Sequence, residues 1–458
     1  MQVPASIFRE YDIRGTVGDQ LHPEVARAIG QAVATLGWQR LGRAPRLAVG
    51  RDNRPSGPAL AHALLSGVEA VGGLALDVGE LPTPALYFAT HVLNVDGGVQ
   101  VTGSHNPPEF NGFKLVLGAD AVAGAAIQGL RRLIEEDRTP GRPGGSRGTD
   151  ASVLARYRAA IVQRNGPLPR RVKVVVDCGN GVASLVAVET LQELGAHVVP
   201  LFCDSDGTFP NHHPDPSVLE NLHDLQAAVR REGAELGIAF DGDGDRIGAV
   251  DEQGRAVLGD QLLVLLGRDL ARRMGPGHPV IFDVKCSEVL PRELARVGLR
   301  PTMWKTGHSL IKQKMKETHA PLAGEMSGHM FFGGDWYGFD DALFAAARLL
   351  RYVAELGGPL SRHFADLPAT VSTPELRVDC PDERKFAIVE RAARHFAAKY
   401  PVATLDGVRI TFKEGWGLLR ASNTQPVLVL RFEAASAAAL AAYRAEVEGW
   451  LAAQSDRA

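Results

Sequence analysis

The sequence predicts an α/β protein of several domains that ends in a smaller α+β domain, and three observations carry that prediction. Apolar, β-branched runs alternate with helix-period segments through the first three quarters of the chain, the pattern of βαβ units with helices on the faces of parallel or mixed sheets. Beyond Pro368 the pattern changes to strand-like runs around a glycine-containing turn and a closing helix. At 458 residues the chain is too long for one core, and roughly three to four domains is the natural expectation.

Arg46-Leu47-Ala48-Val49-Gly50 reads as a strand, followed by a helix through Ala59–Leu65. Val172–Asp177 reads as a buried strand, after which Gly179-Asn180-Gly181 turns into a helix reaching Leu194. Pro279–Val284 is a third such strand, with a helix around Glu288–Val297. In the last part Val408–Phe412 and Val427–Phe432 read as strands, and Ala435–Ala453 as a helix with an alanine- and leucine-rich face. No close internal repeat is visible, although the strand-turn-helix unit recurs. The breaker-rich stretch Asp137–Gly148 and the turn Glu252-Gln253-Gly254 mark boundaries, giving expected domains at 1–148, 149–253, 254–367 and 368–458.

Hydrophobic residues make up 45% of the chain and charged residues 22%, ordinary for a globular protein. A net charge of -3 offers no electrostatic footprint for nucleic acid or an anionic membrane, so an anionic ligand must be met by a local basic cluster. Cys178, Cys203, Cys286 and Cys380 are widely spaced in sequence and are expected to be reduced, mostly buried thiols. Residues Met1–Glu10 lack a basic segment followed by an apolar one, and no apolar run approaches the ~20 residues of a membrane span. A cytoplasmic protein acting as a monomer is expected.

Two motifs dominate. Thr102-Gly103-Ser104-His105-Asn106-Pro107 presents a hydroxyl at a turn, and Asp241-Gly242-Asp243-Gly244-Asp245-Arg246 concentrates three carboxylates and a cation. Alone, Ser104 reads more readily as a cap or turn serine than as a nucleophile. Its surroundings do not fit GxSxG, and His105 is adjacent rather than placed as a distant triad base. The aspartates invite comparison with a calcium-binding EF-hand loop, and Glu252 falls at its twelfth position. However, Arg246 stands where that loop needs glycine, and the flanks Leu236–Phe240 and Ile247–Val250 read as strands. A hairpin loop holding a metal through Asp241, Asp243 and Asp245 fits better than a solvated acidic turn, since such carboxylates repel unless a cation joins them. Together, the two motifs suggest phosphoryl transfer through a phosphoserine beside a divalent ion, and Lys114 adds a cation suited to the seryl phosphate.

Three further segments carry polar chemistry, each also readable as a plain turn. Glu325, Ser327 and His329 share the glycine-flanked Gly324–His329, a set suited to sugar hydroxyls and proton movement. His308 stands in Lys305-Thr306-Gly307-His308-Ser309. Arg420, Ser422, Asn423 and Thr424 combine a guanidinium fork with hydrogen-bonding side chains, a fair phosphate cradle. His212-His213-Pro214-Asp215-Pro216 is read as a rigid loop rather than a metal site.

From Phe8–Gly15 to Arg431–Glu433, nearly the whole chain resembles the α-D-phosphohexomutases, specifically the bacterial phosphomannomutase/phosphoglucomutase branch. TGSHNP, DGDGDR, GEMSGH and RASNTQP stand in the family's order, and Met326 is similar to the glucose/mannose branch where phosphoglucosamine mutases typically carry glutamine. The resemblance implies three related α/β domains with mixed sheets and a C-terminal domain of the TATA-binding-protein-like class, around a central cleft. It implies that Ser104 is phosphorylated, with Asp241, Asp243 and Asp245 as Mg²⁺ ligands and the seryl phosphate completing the site. Glu325 and Ser327 would hold sugar hydroxyls, and Arg420, Ser422, Asn423 and Thr424 the distal phosphate. Tyr11, Arg14, Lys114, Arg246, Lys285, His308 and His329 would line the cleft, with His329 the favoured general acid/base and Lys114 and His308 its competitors.

The implied reaction interconverts hexose 1-phosphate and hexose 6-phosphate, of glucose or mannose, through a bound hexose 1,6-bisphosphate. Three rivals follow from the same residues: a phosphoglucosamine mutase, a metal-dependent phosphatase releasing inorganic phosphate, and a silent sugar-phosphate sensor.

Overall fold

The computed structural model describes residues 1–118, 120–423 and 425–455. Its first three sheets share one path. In the first, Arg46–Arg51 is central, with Leu74–Glu80 and Gly97–Val101 parallel to it on either side and Phe110–Leu117 antiparallel beyond the latter. In the second, Lys173–Asp177 lies between the parallel strands His197–Leu201 and Leu236–Phe240, and Ile247–Asp251 returns antiparallel. In the third, Pro279–Asp283 lies between Arg300–Trp304 and Leu322–Gly324, and Met330–Phe332 returns antiparallel. Each domain is thus β-α-β-α-β-β with the spatial order second, first, third, fourth. The recurrence suspected from the strand-turn-helix units is a repeat of backbone path rather than of residues.

The central strands form because their residues suit burial on both faces. Val174, Val175 and Val176 are fully buried between neighbours, as expected of a parallel strand covered by helices. Additional strands extend the sheets: Ile13–Thr16 and Ser146–Thr149 lie at the two edges of the first, and Ala256–Val257 pairs with Ile247–Asp251 in the second. The second sheet therefore continues past the turn at Glu252–Gly254. The expected helix to Leu194 is split into a 3-10 turn, Val182–Leu185, and a short helix, Ala187–Glu193. The break falls at Val186, whose backbone leaves the helical region at φ -144° and ψ -24°. The last domain is an antiparallel sheet in the order Val371–Ser372, Val427–Ala434, Gly415–Ala421, Val408–Phe412, Val402–Ala403, packed against helices Asp382–Ala397 and Ala437–Ser455.

Consequently the four motifs occupy equivalent places. In each of the first three domains the antiparallel return creates a hairpin: residues 102–109 hold Ser104, 241–246 the aspartates, and 325–329 Glu325 and His329. The hairpin joining Gly415–Ala421 to Val427–Ala434 carries Ser422 and Asn423. Among the described residues, no helix is long and apolar enough to cross a membrane.

An aromatic cluster joins the first three domains. Phe88 stacks on Trp336 at 5.8 Å, and Trp336 stacks on Phe344 at 4.7 Å. Beside them the buried Asp341 carboxylate accepts from the Tyr157 hydroxyl (2.8 Å), the Trp336 indole N–H (2.9 Å) and the Phe344 amide (2.9 Å). Tyr157→Phe removes one of three donors from this buried carboxylate. The expected cost is about 1–3 kcal/mol, read as a thermal midpoint lower by several degrees; an unchanged midpoint would show that the bond contributes nothing to domain docking.

Candidate active site

Asp241, Asp243 and Asp245 are fully buried. The loop closes on itself because Asp241 Oδ1 accepts from the amides of Asp245 (3.0 Å) and Arg246 (3.1 Å), and Gly244 takes a φ of +78° that favours glycine. The three carboxylates offer ligand atoms within 4.8 Å of one another. Asp243 Oδ1 and Asp245 Oδ1 are buried without a hydrogen-bond partner, as suits oxygens that take a hard cation. Burial, with the neighbouring Asp245 and Asp243, raises the Asp241 carboxyl well above the ordinary range. Asp243 is instead held low: burial opposes this, but Lys114 and Thr83 overcome it.

The counter-charges come largely from the first domain. Lys114, on Phe110–Leu117, places Nζ 2.7 Å from Asp243 Oδ2 and 2.5 Å from Asp245 Oδ2. Burial pulls its ammonium down, yet the two carboxylates hold it well above its ordinary value. Thr83, at the start of helix Thr83–Val92, donates its hydroxyl to Asp243 at 2.5 Å and its amide to the Asp243 carbonyl at 2.9 Å. Sequence placed Lys114 beside the serine; the structure places its nitrogen on the acidic side of the same junction.

Ser104 is 2% exposed, and its hydroxyl lies 3.3 Å from Asp241 Oδ2. Its backbone is left-handed, φ +52°, uncommon for serine. That conformation is held from behind by two residues the motif reading missed, Asp52 and Arg54. The guanidinium of Arg54 is fully buried and donates to four carbonyls of the loop: Ser104 (2.8 Å), Asn106 (2.5 Å), Pro107 (2.6 Å) and Phe110 (2.9 Å). Its Nε donates to Asp52 Oδ2 (3.1 Å), which also accepts from the Thr102 hydroxyl (2.7 Å). Gly103 is required here, because a Cβ would lie 2.5 Å from Arg54 Cζ. His105 Nδ1 lies 3.1 Å from Ser104 Oγ, and burial keeps that imidazole far below its ordinary pKa.

His329 joins the second and third domains. Its Nε2 accepts from Arg246 Nε at 3.0 Å, and its Nδ1 lies 3.1 Å from Asp340 Oδ2. Asp340, absent from the motif reading, is also paired with Lys312 at 2.9 Å. His308 stacks beside His329 with ring centroids 5.9 Å apart, and burial holds its imidazole well below the ordinary value. Glu325 is buried and accepts from the Gly307 amide at 2.6 Å, with burial raising its pKa; Ser327 is half-buried on the same turn.

The fourth hairpin reaches the first domain through Tyr11, whose hydroxyl accepts from Asn423 Nδ2 (2.6 Å) and donates to the Thr306 carbonyl (2.8 Å). Arg420 is buried and pairs with Asp406 at 3.0 Å. Ser422 Oγ accepts from the Gln425 amide at 3.1 Å, and Thr424 lies outside the described residues. Lys285 pairs with Glu375 at 3.2 Å, and that lysine lowers the Glu375 carboxyl to about 2. Arg14 donates to Asp12 at 2.6 Å.

Family models match the chain from end to end. That for phosphoglucomutase/phosphomannomutase alpha/beta/alpha domain I matches residues 5–140, domain II 155–254, domain III 258–371 and the C-terminal domain 375–449. The chain belongs to the phosphoglucomutase/phosphomannomutase family. It is 50% identical to a phosphomannomutase/phosphoglucomutase of Pseudomonas aeruginosa over 434 residues, 94% of this chain and 92% of that protein. It is 44% identical to a phosphoglucomutase of Neisseria meningitidis over 441 residues, 96% of this chain and 95% of that one. The crystal structure of a phosphoglucomutase/phosphomannomutase family protein from Burkholderia thailandensis superimposes with a TM-score of 0.91 at 44% identity, covering 99% of this chain and 98% of that one.

Arg54→Lys replaces five fork-arranged donors by three on a point charge, which cannot serve four diverging carbonyls. We expect roughly tenfold faster amide exchange across residues 104–110 and a lower thermal midpoint. Unchanged exchange would show that the loop holds its shape without the guanidinium.

Proposed function

We propose that this protein interconverts the 1- and 6-phosphates of glucose and mannose, passing a phosphoryl group through Ser104 and a bound hexose 1,6-bisphosphate. The observation that carries the reading is the convergence of the serine loop and the aspartate loop, 3.3 Å apart at Ser104 and Asp241, in a chain that belongs to this mutase family throughout.

In the proposed cycle the seryl phosphate leaves Ser104 for the free hydroxyl of a bound monophosphate, giving the bisphosphate. The intermediate turns end for end and returns its other phosphate to Ser104. Arg420, Ser422, Asn423 and Thr424 hold whichever phosphate is not reacting, and Glu325 and Ser327 accept the ring in both orientations. Asp241, Asp243 and Asp245, with the seryl phosphate, would hold Mg²⁺, which supplies Lewis-acid stabilisation of charge on the transferring group. Lys114 and Arg246 add fixed positive charge there.

Its position beside Asp340 favours His329 as the base toward the sugar hydroxyl. The carboxylates keep Lys114 protonated, which suits charge stabilisation and not proton abstraction. Burial holds His308 well below its ordinary pKa, which favours its neutral form. His329 Nδ1 lies nearer to Asp340 Oδ2 (3.1 Å) than His308 Nδ1 does (3.9 Å), and its Nε2, now facing Arg246, is the atom that would take the proton. Tyr11, Arg14 and Lys285 complete the cleft wall, and closure there limits hydrolysis of the phosphoserine.

A coupled assay on glucose 1-phosphate, scored for glucose 6-phosphate against inorganic phosphate, separates a mutase from a phosphatase and from a silent binder. Ser104→Ala should lower mutase turnover by several orders of magnitude, and intact mass should show a wild-type population heavier by one phosphate. Normal turnover by the alanine variant would overturn the assignment of Ser104.

Chelation should abolish turnover and added Mg²⁺ restore it. Ca²⁺ should substitute poorly because it prefers more ligands at longer distances. Full turnover by chelator-treated, metal-free protein would remove the metal from the proposal.

A further inference from the structure

Two of the four cysteines, 25 positions apart in sequence, meet in space: Cys203 Sγ lies 3.2 Å from Cys178 Sγ. The backbone brings them together. Lys173–Asp177 and His197–Leu201 are parallel neighbours with Asp177 opposite Leu201, so the residues after each strand leave the sheet side by side. Phe202 then takes a left-handed φ of +48°, a conformation that a bulky non-glycine residue rarely adopts. The turn folds Cys203 back beneath the strand ends, with its sulfur 3.3 Å from both the Val176 and Leu201 carbonyls.

The two thiols are unequal. Cys178 is fully buried, whereas Cys203 is half-buried and reachable from solvent. The hydrogen bond with Cys178 draws the Cys203 thiol below its ordinary pKa, the direction that favours the nucleophilic thiolate. Cys286 and Cys380 are buried and belong to other domains.

We propose that Cys203 and Cys178 form a peroxide-reactive dithiol site, with Cys203 the attacking thiol and Cys178 the resolving one, that closes reversibly to an intramolecular disulfide. The Cys203 thiolate attacks one oxygen of hydrogen peroxide; the O–O bond breaks, leaving a sulfenic acid and hydroxide, which becomes water. The Cys178 thiol, which the Cys203 hydrogen bond and burial hold protonated, then attacks the sulfenic sulfur as its proton passes to the departing hydroxide; the S–S bond forms, the S–O bond breaks and a second water leaves. Two thiols are oxidised by two electrons and one peroxide is reduced to two waters. Sulfurs already 3.2 Å apart need only a small approach to the ~2.05 Å of a bond. The site is independent of the mutase reading, since neither sulfur belongs to the residues assigned to that chemistry.

The test is peptide mapping of the purified full-length protein after mild hydrogen peroxide treatment, digested without reductant. The expected product is a cross-linked Cys178–Cys203 peptide pair, with intact mass lower by two hydrogens and restored by dithiothreitol. Cys286 should be oxidised at least tenfold more slowly. Cys178→Ser should leave a sulfenic acid on Cys203 that a 1,3-dione probe captures. Oxidation of wild type that starts at Cys286 or Cys380, or that carries Cys203 to sulfinic acid without linking it to Cys178, would overturn the proposal. Because the wild-type map alone decides this, the result does not depend on whether the serine variant folds.

Discussion

Three carboxylates shut away from water repel one another, by roughly 4 kcal/mol for a pair at 4 Å and an effective dielectric of 20, and the protein is arranged around that constraint. Asp241, Asp243 and Asp245 belong to the second domain, but Lys114 and Thr83, which offset them, belong to the first. The loop is therefore electrostatically complete only when the two sheets are docked. Arg246, from the same loop, carries the connection onward to His329 and Asp340 in the third domain. One charge problem thus ties three domains to a common point.

The same logic governs the other cations of the cleft. Arg420 is held by Asp406, Lys285 by Glu375 and Arg14 by Asp12. On the proposed roles, an arriving phosphate would therefore exchange one anionic partner for another instead of meeting bare charge. Such exchange restrains the net gain on binding, since desolvating a paired group offsets much of the new attraction. For the proposed cycle, in which an intermediate must be released far enough to reverse, restraint of this kind would be useful.

The fold class and the motif loops were legible because they rest on local signals: β-branched runs, breaker-rich turns, and alternating Asp-Gly. The tertiary repeat was legible only as recurring strand-turn-helix units and as three related domains implied by the resemblance; its strand order was not. Its three copies share strand order and hairpin placement while differing in residues, and no residue pattern encodes strand order. Arg54 escaped because its partners are backbone carbonyls, which leave no trace at the partner positions. The charged run Arg51-Asp52-Asn53-Arg54 after a buried strand was the available signal. Asp340 and Asp341 likewise look like an ordinary acidic pair until the fold sets one against His329 and the other against Tyr157. The sequence spacing of Cys178 and Cys203 says nothing of their proximity, which depends on the register of two parallel strands.

Because each motif loop of the first three domains is the hairpin where a parallel run turns back, it hangs from two anchored strands and shares no chain segment with the other two. Such loops hang on a common chassis and can vary separately wherever no side chain bridges them. On the proposed roles, ring recognition at Glu325 and Ser327 could be rewritten while the nucleophile at 104 keeps its own support, provided His329, which Arg246 of the acidic turn contacts, is retained. A chassis of this kind lets one phosphoryl chemistry serve sugars of different substitution, at the cost of change in a single hairpin.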